Sequence, residues 1–169
     1  DWSSDVCSSD LHCPVDELLE SAEKRKTYLD SIQSRGLILS ALSCHYEPLH
    51  PDKAIAEQSD EIFRKSVRLA QMLDVPVVNV LSGLPAGSPT DTQPNWVTCP
   101  WPDHFTRILD YQWSQVGIPY WTGAGEFASE HGVKIAVEMH PGMLVYNVET
   151  MLRLRRSEEH TSELQSHVR

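Results

Sequence analysis

The sequence lacks any apolar run close to the roughly 20 residues that a membrane-spanning helix needs, so we expect no membrane partner. It also lacks an excess of positive charge, because 14 Lys and Arg stand against 24 Asp and Glu, a formal net charge of -10. An acidic surface repels nucleic-acid phosphates, so we expect no nucleic-acid partner either. The four cysteines show no CxxC spacing. That absence disfavours a zinc knuckle or a disulfide scaffold, and it favours a reduced, cytoplasmic protein.

Two kinds of short functional motif, one for nucleotide binding and one for catalysis, are absent as well. No GxGxxG or GxxxxGK[ST] segment follows an apolar run, which removes the usual sequence support for nucleotide binding. No GxSxG segment is present, which disfavours a hydrolase with a serine nucleophile at a strand-to-helix turn.

The two ends of the sequence read as non-native. Residues 1–11 and 156–169 are polar and lack periodicity. A DNA strand that encodes RSEEHTSELQS has a reverse complement that encodes DWSSDVCSSD, so one oligonucleotide, resembling a sequencing-library adapter, explains both ends. We therefore predict adapter-derived tails at 1–11 and 156–169. The tails hold two Arg, three Asp and three Glu, so the segment 12–155 between them has a net charge of -6.

Helical and strand patterns alternate along that segment. Amphipathic spacing predicts helices at about 16–35 and 52–73 and a helix capped by Asp103, kinked or restarted at Pro119. Apolar runs predict strands at about 37–45, 75–82 and 133–140, and a last helix starts after Asn147 and is interrupted by the tail. The α-β-α-β-α-β-α order predicts parallel strands with right-handed crossovers, as in doubly wound sheets and (β/α)8 barrels. A complete barrel takes about 250 residues, so this chain would hold roughly half of one.

Polar side chains end two of the predicted strands. In the third strand Lys134, Ala136, Glu138 and His140 share one face, and the last two lie at the carboxyl end, where ligands bind in both folds. A carboxylate and an imidazole two residues apart there can bind one divalent metal, and the alternative is a solvated strand end. His45 ends the first strand in the same way, and its alternative role is a local hydrogen bond.

The long loop at 83–103 follows the second strand and would lie over the same edge. Asn95 and Trp96 offer an amide and a stacking face, the contacts that a sugar needs. The alternative is that the loop's two indoles, Trp96 and Trp101, attach the loop to the barrel, an interpretation that we favour for Trp101.

Several segments resemble one family. The stretches ALSCHYEPLHPD, NWVTCPWP with YQW, and above all IAVEMHPGMLVYNVETMLRLR are similar to the sugar phosphate isomerase/epimerase family of xylose-isomerase-like TIM barrels. Tyr46 and Glu47 depart from the small or neutral residues expected at their positions. The resemblance implies an α/β fold, a partial (β/α)8 TIM barrel whose strands here are the third, fourth and fifth of eight.

The resemblance also implies a chemistry. Such barrels hold one divalent metal (Mn²⁺, Mg²⁺, Co²⁺ or Zn²⁺) and move a proton next to the carbonyl of a small sugar or sugar phosphate, through an enediolate. Glu138 matches the first metal ligand and one acid/base residue, while the other ligands and the second carboxylate lie outside this sequence. We assign His45, Asn95, Trp96 and His140 to substrate binding. The chain itself is expected to be inactive and to bind metal weakly, and a homo-oligomer of the parent protein is left open.

Three alternatives share the same fold. A polyol dehydratase would use the same metal, and an AP-endonuclease-like enzyme would use a zinc cluster but is disfavoured by the acidic charge. A non-catalytic sugar-binding domain would keep the barrel without the late ligands.

Overall fold

A computed structural model describes residues 13–166, in which helices and strands alternate. The order matches the predicted one, with one helix divided and a π-helix added. The elements are α1 Val15–Glu20, α2 Ala22–Gln33, β1 Leu42–Cys44, α3 Lys53–Met72, β2 Val77–Leu81, α4 Asp103–Asp110, a π-helix Tyr111–Gly117, α5 Ile118–Glu130, β3 Lys134–Glu138 and α6 Val148–Ser166.

The three strands form one parallel sheet in the order β1-β2-β3. Ser43 pairs with Asn79, and Asn79 pairs with Ala136, so the three residues form one row across the sheet. Two residues further along the strands, Leu81 pairs with Glu138. The prediction of parallel strands joined by helices is therefore confirmed.

The two faces of the sheet differ as the alternation predicts. Leu42, Cys44, Val78 and Val80 are buried on the face that the helices cover, where they join a core containing Phe63, Val67 and Trp121. On the other face Ser43, Lys134, Ala136 and Glu138 are exposed. Helices thus cover one face of the sheet only, as in a barrel, whereas a doubly wound sheet carries helices on both faces.

Three helices begin within one residue of the position that their predicted capping residue indicates. Asp52 precedes α3, and its Oδ1 accepts a hydrogen bond from the Ala54 amide at 2.9 Å. Asn147 precedes α6, and its Oδ1 accepts from the Thr150 amide at 2.9 Å. Asp103 is the first residue of α4 and not its cap. Pro119 is the second residue of α5, which continues directly from the π-helix with helical backbone angles at Gly117 and Ile118.

The predicted first helix is divided into two. Ser21 has extended backbone angles (φ -129°, ψ 116°), and its side chain accepts a hydrogen bond from the Lys24 amide at 3.2 Å. The prediction of a single helix at 16–35 is therefore wrong. A serine hydroxyl competes for backbone amides and starts a new helix, while the apolar spacing continues through the break.

The first strand is shorter than predicted. β1 covers Leu42–Cys44, whereas Leu37 and Ile38 are 58% and 86% exposed. In residues 13–166 the pairing of β1 with β2 begins at Leu42–Val78, so the residues before it have no ladder partner. An apolar run without a neighbouring strand does not form one.

The last helix is not interrupted where the tail was expected to begin. α6 runs from Val148 to Ser166. The segment after Arg155 lacks glycine and proline, so nothing in it stops a helix that is already formed. The tail boundaries themselves stay a prediction, and residues 1–12 and 167–169 lie outside the described part. Within residues 13–166, no helix is both long and apolar enough to cross a membrane.

Candidate functional site

The carboxyl ends of β1 and β3 bring His45 and Glu138 together. Nε2 of His45 lies 3.3 Å from Oε2 of Glu138. The His45 side chain is 19% exposed and the Glu138 side chain 52% exposed, so the carboxylate stands at the open edge and the imidazole beneath it. His45 follows Cys44, which pairs with Val80, and Glu138 pairs with the next residue, Leu81. The two side chains thus converge over β2, on the face predicted to line the barrel.

The His45 imidazole has one nitrogen that nothing satisfies. Nε2 is buried and makes no hydrogen bond with any group in the described residues, although Oε2 of Glu138 lies 3.3 Å away. A buried polar atom left unpaired costs free energy, so it marks a position where another group belongs. Two ligands of one cation, each about 2.1 Å from it and at right angles, lie about 3 Å apart. The His45–Glu138 pair therefore fits a divalent cation.

The pair is an incomplete metal site. Across residues 13–166 no group of three or more His, Cys, Asp or Glu side chains is arranged to hold an ion. Stable sites need further ligands, so two side chains alone predict weak binding.

His140 is exposed and lies on the loop after β3, directed to its own backbone. Its Nδ1 is 2.6 Å from the Pro141 carbonyl oxygen, and its amide donates to the Val145 carbonyl at 3.2 Å. The described contacts of His140 thus shape the loop. Its predicted roles, as a metal ligand beside Glu138 or in substrate binding, stay predictions.

Glu47 is a residue of this edge that the sequence analysis did not select. It follows β1, and its Oε2 accepts a hydrogen bond from the Leu84 amide, at the start of the long loop, at 3.2 Å. Burial raises the pKa of the Glu47 carboxyl, while the Leu84 amide and the nearby His50 and His140 oppose that shift. Glu47 is thus close to groups from the loops after all three strands. Its distance of two residues from His45 was the available signal.

The long loop is attached by Trp96. Its Nε1 donates to the Met143 carbonyl at 3.1 Å, and its ring meets Tyr146 edge-on with centroids 5.6 Å apart. Trp101 is 75% exposed, so the expectation that Trp101 attaches the loop is wrong. Trp96 is still 44% exposed, which leaves part of the indole available to a ligand.

Asn95 is held by its backbone. Its amide donates to the Pro85 carbonyl at 3.0 Å, and its carbonyl accepts from Gln112 at 2.6 Å. The structure brings His45 and Glu138 together, while the described contacts of Asn95 and Trp96 lie within the loops. Their predicted contact with a sugar stays a prediction.

Gln112, in the π-helix, is the second residue that sequence reasoning missed. It is 1% exposed, and its Nε2 contacts the carbonyl oxygens of Pro85, Ala86 and Asn95 at 3.1, 3.1 and 2.6 Å. One side chain thus joins the start of the long loop to its middle at Asn95, in a loop that has no helix or ladder strand of its own. No motif announces such a residue, because its partners lie 17 to 27 positions away.

Comparisons with known proteins agree with this architecture. The sequence profile of the family described as xylose isomerase-like TIM barrel matches residues 11–162. The uncharacterized protein YfiH of Bacillus subtilis (strain 168) is 44% identical over 149 residues, which are 86% of this chain and 47% of YfiH. The chain thus spans about half the length of the curated relative that it matches.

Two solved structures share the fold at low identity. A D-tagatose 3-epimerase-like protein aligns with a TM-score of 0.51 and 19% identity, over 79% of this chain and 46% of that one. A xylose isomerase-like TIM barrel protein from Mycobacterium smegmatis, in complex with magnesium, aligns with a TM-score of 0.54 and 13% identity, over 92% of this chain and 55% of that one. The three-stranded sheet is therefore a part of a (β/α)8 barrel, which confirms the predicted fold class and excludes the doubly wound alternative.

Proposed function

Since this chain belongs to the xylose isomerase-like TIM barrel family, we propose that it supplies part of the active-site edge of a divalent-metal-dependent isomerase or epimerase acting on small sugars. The observation that carries the proposal is the approach of His45 Nε2 to Glu138 Oε2 at 3.3 Å, with that nitrogen buried and unpaired. An imidazole and a carboxylate presented together at the carboxyl ends of barrel strands are a ligand pair for Mn²⁺, Mg²⁺, Co²⁺ or Zn²⁺. The magnesium complex of the Mycobacterium smegmatis relative supports a divalent ion, although the metal is not identified by it.

His45, which the sequence analysis assigned to substrate binding, would instead hold the cation together with Glu138. The cation when bound supplies Lewis-acid stabilisation of the negative charge that develops on the sugar oxygens. His45 is well suited to fix its position because the imidazole is largely buried. Glu138 is about half exposed, so its carboxylate is accessible to a sugar at the open edge.

Glu138 is also the proposed acid/base. A carboxylate beside the substrate takes the proton from the carbon next to the carbonyl, which leaves an enediolate. The return of a proton to the opposite face of that enediolate completes an epimerisation. That return needs a second carboxylate on the opposite side of the sugar, which the family resemblance places outside this sequence. We therefore expect the 169-residue chain not to epimerise a ketose even with added Mn²⁺, and measurable turnover would contradict this expectation.

Metal titration tests the pair directly. We expect Glu138→Gln and His45→Ala each to weaken Mn²⁺ binding by about tenfold or more, because each removes one of two ligands. Isothermal titration calorimetry, or the electron paramagnetic resonance signal of free Mn²⁺, gives the dissociation constants.

Glu57→Gln is the matched control, since Glu57 is an exposed carboxylate on α3, within a helix and away from the strand ends. Equal loss of Mn²⁺ binding in Glu57→Gln would mean that the ion binds by general surface charge. Unchanged binding in both site variants would overturn the assignment of His45 and Glu138.

A further inference from the structure

We propose that the chain has a second ligand site, separate from the His45–Glu138 pair, which takes a small carboxylic acid with a flat apolar body. A cavity of about 260 Å³ lies between the long loop, the π-helix and α6, and neither His45 nor Glu138 lines it. The observation that carries the proposal is a cation in this cavity. The guanidinium of Arg153 forms no hydrogen bond and no ion pair with the described residues.

The walls of the cavity come from two consecutive units of the fold, those built on β2 and β3. Trp96 belongs to the long loop, Trp113 to the π-helix, Leu144 to the loop after β3 and Arg153 to α6. No lining residue belongs to β1, β2 or β3. The cavity is therefore formed by the described segments themselves, and not by the open edges of the sheet.

Arg153 is held by the flat face of its guanidinium and not by the N–H groups at the edge. Its guanidinium carbon lies 4.5 Å from the centroid of the Trp113 ring, and Trp113 is 1% exposed. Stacking on an indole uses one face of the guanidinium and leaves its N–H donors free for a planar acceptor. Burial lowers the pKa of Arg153, although Asp110 opposes the shift, and an arginine keeps its charge in proteins.

Two carboxylates near Arg153 leave it unpaired. Glu149 lies four residues earlier on α6, a spacing at which such side chains commonly pair, and it also lines the cavity. Asp110, at the end of α4, acts on the pKa of Arg153. Neither acid forms an ion pair with Arg153. A ligand carboxylate in contact with the guanidinium would make the charge-assisted hydrogen bonds that these acids do not make.

The two acids also decide between kinds of anion. Repulsion grows with the charge of the ligand, so Asp110 and Glu149 oppose a phosphate dianion more than a carboxylate with a single charge. A carboxylate also matches the planar fork of the guanidinium of Arg153 with two parallel hydrogen bonds. The site therefore favours a carboxylic acid.

The rest of the cavity suits an apolar body. Leu84, Leu109 and Leu144 line it beside the indole of Trp96, which is 44% exposed. Nε1 of Trp96 already donates to the Met143 carbonyl at 3.1 Å, so the indole offers its ring and not its donor. The volume lies below the range of about 300–1,000 Å³ that is typical of pockets for drug-sized ligands, which points to a ligand with a single ring.

Ligand-observed NMR on the 169-residue chain tests the site with benzoate and benzamide, two probes of the same shape that differ in charge. The titration contains no divalent cation, so the His45–Glu138 pair takes no part in it. We expect benzoate to bind about tenfold more tightly than benzamide, because only benzoate offers the guanidinium a charged bidentate acceptor.

The Arg153→Met variant removes the cation. We expect it to weaken benzoate binding by about tenfold and to leave benzamide binding little changed, since the amide does not depend on the charge. Arg68→Met is the matched control, because Arg68 is exposed on α3, outside the cavity, and the charge change is the same. Binding of both probes to Arg68→Met should equal that of the parent chain.

The Asp110→Asn variant gives a change of the opposite sign. It removes a negative charge near the site while the stacking of Arg153 on Trp113 is kept, so benzoate should bind about twofold to fivefold more tightly. Benzamide binding should not change. This variant keeps the test decisive if a thermal melt shows that Arg153→Met does not fold, because a purely structural role of these residues would move both probes together.

The proposal and the proposed function fail separately. Equal dissociation constants for benzoate and benzamide, unchanged benzoate binding in a folded Arg153→Met, or no binding of benzoate at millimolar concentrations would each overturn this second site. None of these results bears on the His45–Glu138 pair, which the Mn²⁺ titration tests.

Discussion

At the scale of single residues, the described cysteines differ in their access to water. Cys44 lies in β1 and is 3% exposed, and burial raises the pKa of its thiol to about 11 although Ser66 opposes the shift. Cys99 lies exposed on the long loop. Because the thiolate is the reactive form, these two positions should differ sharply in chemistry.

Alkylation with iodoacetamide at about pH 8 should therefore modify Cys99 before Cys44. A pKa that rises from 9.0 to about 11 lowers the thiolate fraction of Cys44 about 100-fold, and burial slows the reagent further. Peptide mass spectrometry over a time course gives both rates, and the unfolded chain in guanidinium, where the rates should converge, is the control. Equal rates in the native chain would show that β1 is not packed as described.

The residues that the sequence analysis selected and those that it missed differ in the sequence distance to the groups that they contact. His45 and Glu138 end apolar runs, so strand alternation alone places them on one face of one edge. Glu47 and Gln112 act through partners 37 and 17 to 27 positions away. Such contacts exist only after the loops are folded, and no local pattern encodes them.

At the scale of elements, the π-helix packs against the loop before α6 through a glycine. A Cβ at Gly117 would collide with the side chain of Leu144, which is 3% exposed, and would lie 3.1 Å from the Gln112 carbonyl oxygen. We expect Gly117→Ala to lower the free energy of unfolding by about 1–3 kcal/mol, the usual result of overpacking. Urea denaturation followed by tryptophan fluorescence measures the change.

Gly123→Ala is the matched control. Gly123 lies inside α5, and a Cβ there meets nothing within 4 Å. Alanine is favoured over glycine in a helix interior, so this variant should be more stable by up to about 1 kcal/mol. A Gly117→Ala variant as stable as Gly123→Ala would refute the close approach of Leu144 to the π-helix.

Element boundaries were predictable where a side chain marks them. Asp52 and Asn147 cap their helices through their own oxygens, and α3 ends within a residue of its predicted end. Ser21 and the π-helix were not predicted, because apolar spacing barely changes across a one-residue break or a wider turn. β1 was predicted too long, because an apolar run does not reveal where its neighbouring strand begins.

At the scale of the whole molecule, the sheet is open. Within residues 13–166, β1 and β3 each pair with β2 alone, and the face bearing Ser43, Ala136 and Glu138 has no cover. Unpaired strand edges associate with other chains. We therefore expect self-association that grows with concentration in sedimentation velocity, and a concentration-independent monomer that melts in one cooperative transition would count against an open sheet.

Periodicity could establish the alternation of helices and parallel strands but not how the sheet closes. A doubly wound sheet and a barrel share that pattern, and they differ in strand order and curvature. Helices cover only one face of this sheet, whereas a doubly wound sheet has helices on both, and which face stays uncovered is a property of the folded chain.

The π-helix should make this molecule more sensitive to a deletion at 111–117 than to an insertion in the long loop. Residues added to the tip of the long loop need only extend a surface segment. One residue deleted between 111 and 117 would instead rewind the segment as an α-helix, in which each residue turns the helix by about 100°. Gln112 would then face away from Pro85, Ala86 and Asn95 or α5 would rotate in the core, so a single-codon deletion here should release a loop that is distant in sequence.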